Sequence, residues 1–386
     1  MYFVEKIKGI NYVRQFDYSL FISVVVLSIA GLIVLNSATL TMSGRESIMK
    51  TQILSLIIGV IASLVISFLD YNSFKSVALL MYLASVGLLM LVLFIGYGYK
   101  EVGSKSWLII HVKGYNISFQ PAELSKITMV ILISCFLERI KEKQDVGKNI
   151  IKLIVFFLLV AGLILKQPDY GMAIVFFVAL FIMIYISGVK YKHLFIAAGA
   201  LLFTTPFIWF FALNEDRKKR ILEFISPGYD PGGASYQLER AQIAIGSGRI
   251  YGSGLYKGIQ TQTPPHVGGV PVRESDMIFT VIGEELGFIG SVLIIALILF
   301  IIIRCFYIAI NSRDIFGALL VTGLTGMMAY QFLQNIGMCV RLLPVTGLPL
   351  PFVSAGGSAM ITNYISIGII LSVSIRRKRT MFSSQQ

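Results

Sequence analysis

The sequence predicts an all-α polytopic membrane protein with about ten transmembrane helices, and three observations lead to this fold class. Of the 386 residues, 56% are hydrophobic and only 14% are charged, whereas soluble domains carry about 25% charged residues. The charges are segregated, so that long stretches of the chain hold almost none. Those stretches are long enough to cross a hydrocarbon core of about 30 Å as helices.

The predicted spans are apolar stretches separated by short polar breaks, such as the one between Lys166 and Gly171. Several contain Gly or Pro, which membrane helices tolerate because neighbouring helices satisfy the freed backbone groups. The spans are residues 18–38, 52–69, 76–97, 121–138, 150–166, 171–188, 193–213, 276–303, 316–336 and 352–375.

The distribution of Lys and Arg predicts that both termini are cytoplasmic (N-in/C-in). With this topology the short inner segments hold more than twice as many Lys and Arg residues as the short outer loops, which is the positive-inside bias. Residues 1–17 then form a cytoplasmic interfacial segment with apolar residues at helical spacing, and residues 376–386 form a basic cytoplasmic tail. The large loop at 214–275, between helices 7 and 8, is extracytoplasmic.

The net charge of +13 does not indicate a nucleic-acid partner. Most of the excess lies in inner loops beside the membrane, where the orientation rule and anionic lipid account for it. Cys135, Cys305 and Cys339 lie far apart without metal-ligand spacing. The glycines of GSGRIYGSG, residues 246–254, lack the spacing and the preceding strand of a nucleotide-binding loop.

Two outer segments interrupt the predicted spans. Residues 98–120 form a mixed polar and aromatic loop in which Lys105 and Trp107 lie. The loop at 214–275 is long enough to be either functional or disordered, and we expect it to fold onto the outer membrane face. Within it, SYQLERAQIAIG has helical periodicity and carries Arg240 and Gln242.

Acidic residues lie at the start of the eighth span and within it. Ser275 and Asp276 suit the N-terminus of a helix as capping residues, and a role in a site is equally compatible with their position. Glu284 and Glu285 lie deeper, where an exposed charge costs several kcal/mol. For these two we favour packing against a polar or basic partner over catalysis. Arg273 precedes Asp276 by three residues and suits either a pyrophosphate ligand or a plain loop ion pair.

The fourth span opens with QPAELSKI, residues 120–127. Glu123 and Lys126 are three residues apart and therefore share one face of a helix. They either form a simple pair, or Lys126 faces a cavity where it binds a phosphate, because a cation inside a membrane is a functional candidate. Asp169, in KQPDYG, belongs either to a turn or to a site.

The last outer segment, residues 335–360, combines prolines and glycines with almost no charge except Arg341. Because exposed backbone is not tolerated in lipid, this segment must be re-entrant or pressed against protein. Ser354, Gly356 and Gly357 either offer backbone N–H groups to an anion or form a tight structural turn.

The motifs FQPAELSKI, QPDYG, AQIAIGSG, SDMIFTVIGEELGFIG and LLPVTGLPLPFVSAGGS occur in this order. The order resembles the SEDS family, the RodA, FtsW and SpoVE proteins of bacterial shape, division and sporulation. The likeness runs from about Asp17 to Ser374 and implies a multi-pass protein of the bacterial cytoplasmic membrane. It also implies a peptidoglycan glycosyltransferase that polymerises lipid II on the outer face, together with a class B penicillin-binding protein.

The resemblance places the essential aspartate of the family on Asp276 and its intramembrane lysine on Lys126, beside Glu123. The sequence departs from the family pattern at several neighbouring positions: Ser106 replaces an arginine before Trp107, Val272 replaces an acid, Glu274 replaces a histidine, and Arg341 stands where glycine is common.

We therefore expect Asp276 to act as the general base that activates a sugar hydroxyl. The expected substrate-binding residues are Lys126, Glu123, Lys105, Trp107, Asp169, Arg240, Gln242 and Ser354. No ligand cluster in the sequence requires a metal, although a divalent cation such as Mg²⁺ or Mn²⁺ suits the pyrophosphate. The competing hypotheses are a lipid II flippase, which the intramembrane charges also suit, and a non-catalytic scaffold for a penicillin-binding protein.

Overall fold

The computed structural model describes residues 15–97, 105–112, 115–188, 215–230 and 232–377. Over these ranges the chain is mostly helical. The predicted span at 193–213 lies outside the described residues, as do residues 1–14 of the predicted interfacial segment and residues 378–386 of the basic tail.

The described helices follow the predicted order. They are α1 (Tyr18–Ala38), α2 (Arg45–Phe68), α3 (Ser73–Ile95), α4 (Pro121–Lys141), α5 (Val146–Lys166), α6 (Tyr170–Ile186), α7 (Glu215–Ile225), α8 (Ala234–Ser247), α9 (Ile259–Gln262), α10 (Ile278–Ile310), α11 (Ile315–Cys339) and α12 (Gly357–Ile375).

Within the described part of the chain, seven helices are long and apolar enough to cross a membrane: α1, α2, α3, α5, α10, α11 and α12. Helix α6 is apolar but shorter. Helix α4 is long but carries Glu123 and Lys126, and nearly all its residues from Pro121 to Leu137 are buried. Its charges are thus enclosed by the other helices, as intramembrane charges usually are.

Several helix boundaries differ from the prediction, and two of the differences have a clear cause. Helix α2 begins at Arg45 rather than at residue 52, because hydropathy marks only the apolar part of a helix and misses a polar first turn. Helix α12 begins at Gly357 rather than at residue 352. The residues before it are buried without forming a helix, so their apolar character reflects contact with protein.

Residues 98–120 contain more structure than the predicted loop. Strands β1 (Leu108–Val112) and β2 (Tyr115–Phe119) form an antiparallel hairpin in which Leu108 pairs with Phe119. A further bridge joins Tyr97 to Trp107. The β-branched residues of both strands suit extended structure, but the strands are too short for a clear alternating pattern.

The helices differ in how deeply they lie in the bundle. In the most apolar 18-residue window, 83% of α12 and 78% of α11 are buried, compared with 28% of α10. Helix α12 packs closely along α2, since a Cβ on Gly368 would lie 2.8 Å from the backbone of Ser63. Helices α4, α11 and α12 therefore form the interior, and α10 lies at the periphery.

Glu284 lies in a π-helical turn of α10, Ile282–Leu286, and binds the loop before that helix. Its carboxylate accepts the backbone N–H groups of Gln260 and Thr261, each at 2.8 Å. These N–H groups belong to the first turn of α9, where a negative charge is favourable. The side chain is only 1% exposed, so Glu284 attaches the loop to α10.

Glu285 makes a parallel set of contacts. It accepts hydrogen bonds from the Ser37 hydroxyl at 2.7 Å, from Tyr256 N at 3.0 Å and from Gln262 Nε2 at 2.9 Å. The predicted packing of both glutamates against polar partners is confirmed, and these partners are neutral groups of the loop and of α1.

The glycines of the GSGRIYGSG segment let this loop lie directly on α10. A Cβ on Gly248 would lie 2.0 Å from Gly283 O, and one on Gly252 would lie 2.2 Å from Glu285 O. Gly252 also has a φ of +78°, a conformation that favours glycine. These glycines serve close backbone packing.

Candidate active site

Asp276 ends the loop that precedes α10. Met277 is the N-cap residue of that helix and receives no side-chain cap, so the predicted capping role of Asp276 is not found. The Asp276 side chain is partly exposed and lies against Gly347, where an added Cβ would be 3.4 Å from Oδ2. Gly347 has a φ of +75°, a conformation that favours glycine.

A strained turn presents Asp276. Val272 has a φ of +50°, which is unusual for a β-branched residue. Its carbonyl accepts the N–H groups of Ser275 at 3.2 Å and Met277 at 3.1 Å. Strain of this kind is concentrated at functional sites, where surrounding structure maintains it.

Ser354 supports this turn from below. Its hydroxyl donates to Ser275 O at 2.6 Å and accepts from Leu350 N at 2.8 Å. The N–H of Ala355 donates to Glu274 O at 2.8 Å. Because these groups are bonded to the protein, the structure favours the tight-turn alternative over anion binding, and Ser354 acts on Asp276 through the backbone.

Asn335, on α11, is a residue that sequence reasoning missed. It is fully buried, and its amide nitrogen donates to both Asp276 O and Leu348 O at 2.8 Å. A buried amide inside an apolar span is itself a signal, because an unpaired polar group there is costly.

Asp169 lies in the turn between α5 and α6, and its two carboxylate oxygens have different partners. Oδ1 caps α6 by accepting Met172 N at 3.1 Å, and Oδ2 accepts Gln120 Nε2 at 3.1 Å. Gly171, in the first turn of α6, packs on the segment that faces Asp276, since its Cβ would lie 2.7 Å from Thr346 O. The predicted turn role and the predicted site position are therefore compatible.

Glu123 and Lys126 form an ion pair in the interior of the bundle. Lys126 Nζ lies 2.8 Å from Glu123 Oε2 and donates to Gln331 Oε1 at 3.1 Å. Apart from this pair, Glu123 accepts no hydrogen bond of good geometry from the described residues. The pairing alternative is thus the arrangement found, and the pair keeps unused acceptor capacity.

Electrostatic interactions join these acids into one cluster, consisting of Asp276, Asp169 and the Glu123–Lys126 pair. The pKa of Asp276 is raised from 3.8 to about 6, chiefly by burial; Arg220 lowers it, and the charges of Glu274 and Asp169 act in the same direction as burial. Burial also raises the pKa of Asp169, and Glu123 contributes in the same direction. We call this group the acidic cluster.

Helix α7 brings cations to the acidic cluster. Arg217 donates to Pro168 O at 3.3 Å, lies 5.9 Å from the Tyr170 ring centroid, and lowers the pKa of Asp169. The charge of Arg220 likewise lowers the pKa of Asp276. The sequence signal for these cations is the basic run DRKKR, residues 216–220.

Arg341 has a φ of +60°. Its guanidinium pairs with Glu223 of α7 at 2.9 Å. The pKa of Glu223 lies below its usual range: burial opposes the ionised form, but the N–H groups of Gly228 and Asp230 and the charge of Arg341 favour it. This pair attaches α7 to the segment that contains Gly347.

Other predicted residues lie apart from these contacts. Lys105 is exposed at the start of the hairpin, and the backbone of Trp107 pairs with Tyr97. Arg240 lies 5.2 Å from the Tyr236 ring centroid, and Gln242 is exposed on α8. In the described part of the chain, no ion pair or hydrogen bond joins these four side chains to Asp276.

Arg273 has a structural role. It is buried, and its guanidinium donates to Ala38 O at 2.8 Å, Thr263 O at 2.5 Å and the Thr41 hydroxyl at 2.7 Å. Burial lowers its pKa. These bonds use three of its five N–H donors, so Arg273 connects the loop to the end of α1.

A metal site does not emerge from the described residues, among which no group of three or more His, Cys, Asp or Glu side chains is placed to hold an ion. The three cysteines are buried and unpaired.

Comparison with known proteins gives consistent results. The sequence model of a family described as "Cell cycle protein", named for FtsW, RodA and SpoVE, matches residues 17–379. A probable peptidoglycan glycosyltransferase FtsW of Geobacter metallireducens is 31% identical over 375 residues, 95% of this chain and 97% of that protein. The peptidoglycan glycosyltransferase MrdB of Escherichia coli K12 is 32% identical over 297 residues, 77% of this chain and 78% of that protein.

Solved structures resemble the fold over nearly its whole length. A chain from a peptidoglycan synthase complex, described for its coordination of polymerization and crosslinking, has a TM-score of 0.76 and 27% identity, covering 93% of this chain and 97% of that one. The rod shape determining protein RodA of Thermus thermophilus has a TM-score of 0.68 and 26% identity, covering 95% of this chain and 98% of that one.

Proposed function

The chain belongs to the family of FtsW, RodA and SpoVE, and from this premise we propose that it is a peptidoglycan glycosyltransferase that polymerises lipid II into glycan strands. Its relatives carry the name peptidoglycan glycosyltransferase. The observation that supports the chemistry best is the Asp276 carboxylate of the acidic cluster, which is partly exposed and held by a strained turn.

The reaction needs a nucleophile more than it needs a leaving group. Lipid II carries its disaccharide on a pyrophosphate, which leaves readily, whereas a sugar hydroxyl is poorly ionised at neutral pH. Asp276 takes the proton of the GlcNAc 4-hydroxyl of one substrate. That oxygen forms a bond to the MurNAc anomeric carbon of the other, the bond from this carbon to the pyrophosphate oxygen breaks, and the configuration inverts.

The raised pKa of Asp276 suits this role. With a pKa of about 6, the carboxylate is largely ionised at pH 7 and is still a stronger base than an ordinary aspartate. General bases work best when their pKa lies near the operating pH, and such catalysis typically contributes about 10²- to 10⁴-fold.

Cations near the acidic cluster bind the pyrophosphate and stabilise the charge that develops on it. Lys126 is the buried candidate, and Arg217 and Arg220 on α7 add positive charge beside Asp169 and Asp276. Lys105, Trp107, Arg240 and Gln242 remain predicted substrate contacts farther along the glycan or its carrier. A divalent cation on the pyrophosphate would act alongside these side chains.

The proposed topology places the acidic cluster on the outer face of the bacterial cytoplasmic membrane. Both termini are then cytoplasmic, about ten helices span the bilayer, and the loop at 214–275 is extracytoplasmic, in keeping with the distribution of Lys and Arg. A related chain is part of a complex that coordinates polymerization with crosslinking. By the same logic we expect a class B penicillin-binding protein as the partner.

The test is a reconstitution of the purified protein with its partner synthase, lipid II and proteoliposomes. Wild type is expected to make glycan strands on a gel, and Asp276→Asn to lose strand synthesis by about 10²- to 10⁴-fold. Asp276→Asn keeps the shape of the side chain and loses only the base. Strand synthesis at the wild-type rate by this variant would contradict the catalytic role, and transbilayer movement of lipid II without elongation would indicate a flippase instead.

A further inference from the structure

We propose that Asn335 is a positioning residue for Asp276. It positions the carboxylate by joining the Asp276 turn to the segment that faces it. This inference rests on the proposed function, in which Asp276 is the general base.

The geometry consists of one side-chain nitrogen and two backbone carbonyls. Asn335 Nδ2 donates to Asp276 O and to Leu348 O, both at 2.8 Å. An amide nitrogen carries two hydrogens, so these two bonds use its full donor capacity. Leu348 follows Gly347, which lies against the Asp276 carboxylate, since a Cβ added to Gly347 would be 3.4 Å from Asp276 Oδ2.

Asn335 thus fixes the distance between the two walls of the site. The first wall is the strained turn from Val272 to Asp276, and the second is the segment that contains Gly347. Because Asn335 is fully buried in α11, its position is set by a packed helix of the interior. Catalytic groups are held well when a rigid element supports them.

Asp276 is surrounded by charged and titratable groups from several elements. They are Glu274 on its own turn, Asp169 between α5 and α6, Arg220 on α7, and Cys339 on α11. If the two walls separate, water reaches the carboxylate and its ionised form becomes less costly. The acid limb of the pH–rate profile, which reports the base, therefore moves to lower pH.

A purely structural role for Asn335 predicts something different. Loss of its hydrogen bonds would then reduce the amount of folded protein, but each folded molecule would keep the same base in the same environment. The acid limb would stay at its wild-type position. The pH profile therefore separates positioning from plain stability.

The chain offers a matched control in the next residue. Gln334 is also a buried amide of α11, and its Nε2 donates to Pro344 O at 2.7 Å. It thus binds the same outer segment without touching Asp276. Asn335→Leu and Gln334→Met each remove an amide while nearly keeping the shape of the side chain.

The experiment measures lipid II polymerisation by the reconstituted full-length protein with its partner between about pH 5 and pH 8, a window that spans the pKa expected of a raised aspartate. Rates are normalised to the folded fraction from size-exclusion chromatography. We expect Asn335→Leu to lower kcat by about 100-fold through misplacement of the base, with little change in KM, and to move the acid limb to lower pH. Gln334→Met is expected to keep the wild-type limb.

Asn335→Ser, which retains one donor, is expected to fall between wild type and Asn335→Leu, and it provides the readout if the leucine variant does not fold. A wild-type acid limb in both Asn335 variants overturns the proposal, as does an equal shift in Gln334→Met. An inactive Asp276→Asn together with unaffected Asn335 variants would reject only this inference. Full activity of Asp276→Asn would reject the proposed function itself.

Discussion

Asp276 lies just before α10 and Glu284 lies within its first turns, and the two carboxylates have different surroundings. Glu284 is 1% exposed and accepts two backbone N–H groups of the loop, each at 2.8 Å. Asp276 is partly exposed, and a hydrogen bond with the Ser275 side chain lowers its pKa. The glutamate is saturated by protein donors, whereas the aspartate keeps acceptor capacity.

The difference shows that acidic residues of one apolar segment can have different roles, one structural and the other, as proposed, catalytic. A carboxylate whose lone pairs are used by backbone donors cannot approach a substrate proton without breaking those bonds. A carboxylate held through its backbone, as Asp276 is by Asn335, keeps its side chain available. Hydrogen-bond saturation is therefore a better guide to function here than depth in the membrane.

The largest effect on stability is expected from Glu284→Ala. It leaves the buried N–H groups of Gln260 and Thr261 without a partner, and each unsatisfied group costs about 1–3 kcal/mol. We expect the free energy of unfolding to fall by roughly 2–5 kcal/mol, measured by thermal or denaturant unfolding in detergent. Glu284→Gln, which retains one acceptor oxygen, is the control and should lose less. Equal stability of Glu284→Ala and wild type would contradict the loop-attachment role.

A smaller effect is expected from Gly252→Ala, which tests how closely the loop lies on α10. The new Cβ would meet Glu285 O at 2.2 Å in a residue with φ of +78°, so we expect a loss of about 1–3 kcal/mol. Gly246→Ala is the control, because that position is in α8 and has open space around it. It should stabilise the helix by about 0.5–1 kcal/mol. Similar unfolding midpoints for the two variants would show that the loop is not in close contact.

The third prediction concerns the pH dependence of stability. The pKa of Asp276 is about 6 in the folded protein, whereas the ordinary pKa of an aspartate is 3.8. Ionisation therefore disfavours the folded state. This penalty is absent below about pH 4 and complete above about pH 6. Asp276→Asn, which cannot ionise, should therefore gain stability over wild type as the pH rises through this window. A stability difference that does not change with pH would indicate that Asp276 has an ordinary pKa.

Several features of the fold were predictable because they depend on local sequence. The break between α5 and α6 falls at the predicted polar segment, where the helices end at Lys166 and begin again at Tyr170. The helix at Ala234–Ser247 follows from its periodicity. The burial of the segment before α12 followed from the requirement that lipid never meets free backbone.

The roles of individual residues within the site were harder to predict from the sequence. For Ser354 the sequence left anion binding and a tight turn as equal alternatives, and its hydroxyl bonds to Ser275 O. For Arg273 the sequence left a pyrophosphate ligand and a loop ion pair open, and its guanidinium binds Ala38 O. Both residues form contacts with segments remote in sequence, and a single sequence does not show which remote segment a side chain meets.

The amino-acid sequence by itself determined that this is a helical membrane protein, where most of its described helices lie, and that Asp276, Glu123 and Lys126 are unusual for their positions. These conclusions follow from hydropathy and from the cost of charge in lipid, which act residue by residue. Tertiary structure alone decided that Asp169 lies near Asp276, that Asn335 spans the two walls of the site, and that Glu284 binds a loop. Such contacts depend on how distant segments pack, because a hydrogen bond or a pKa shift exists only once both partners have been brought together.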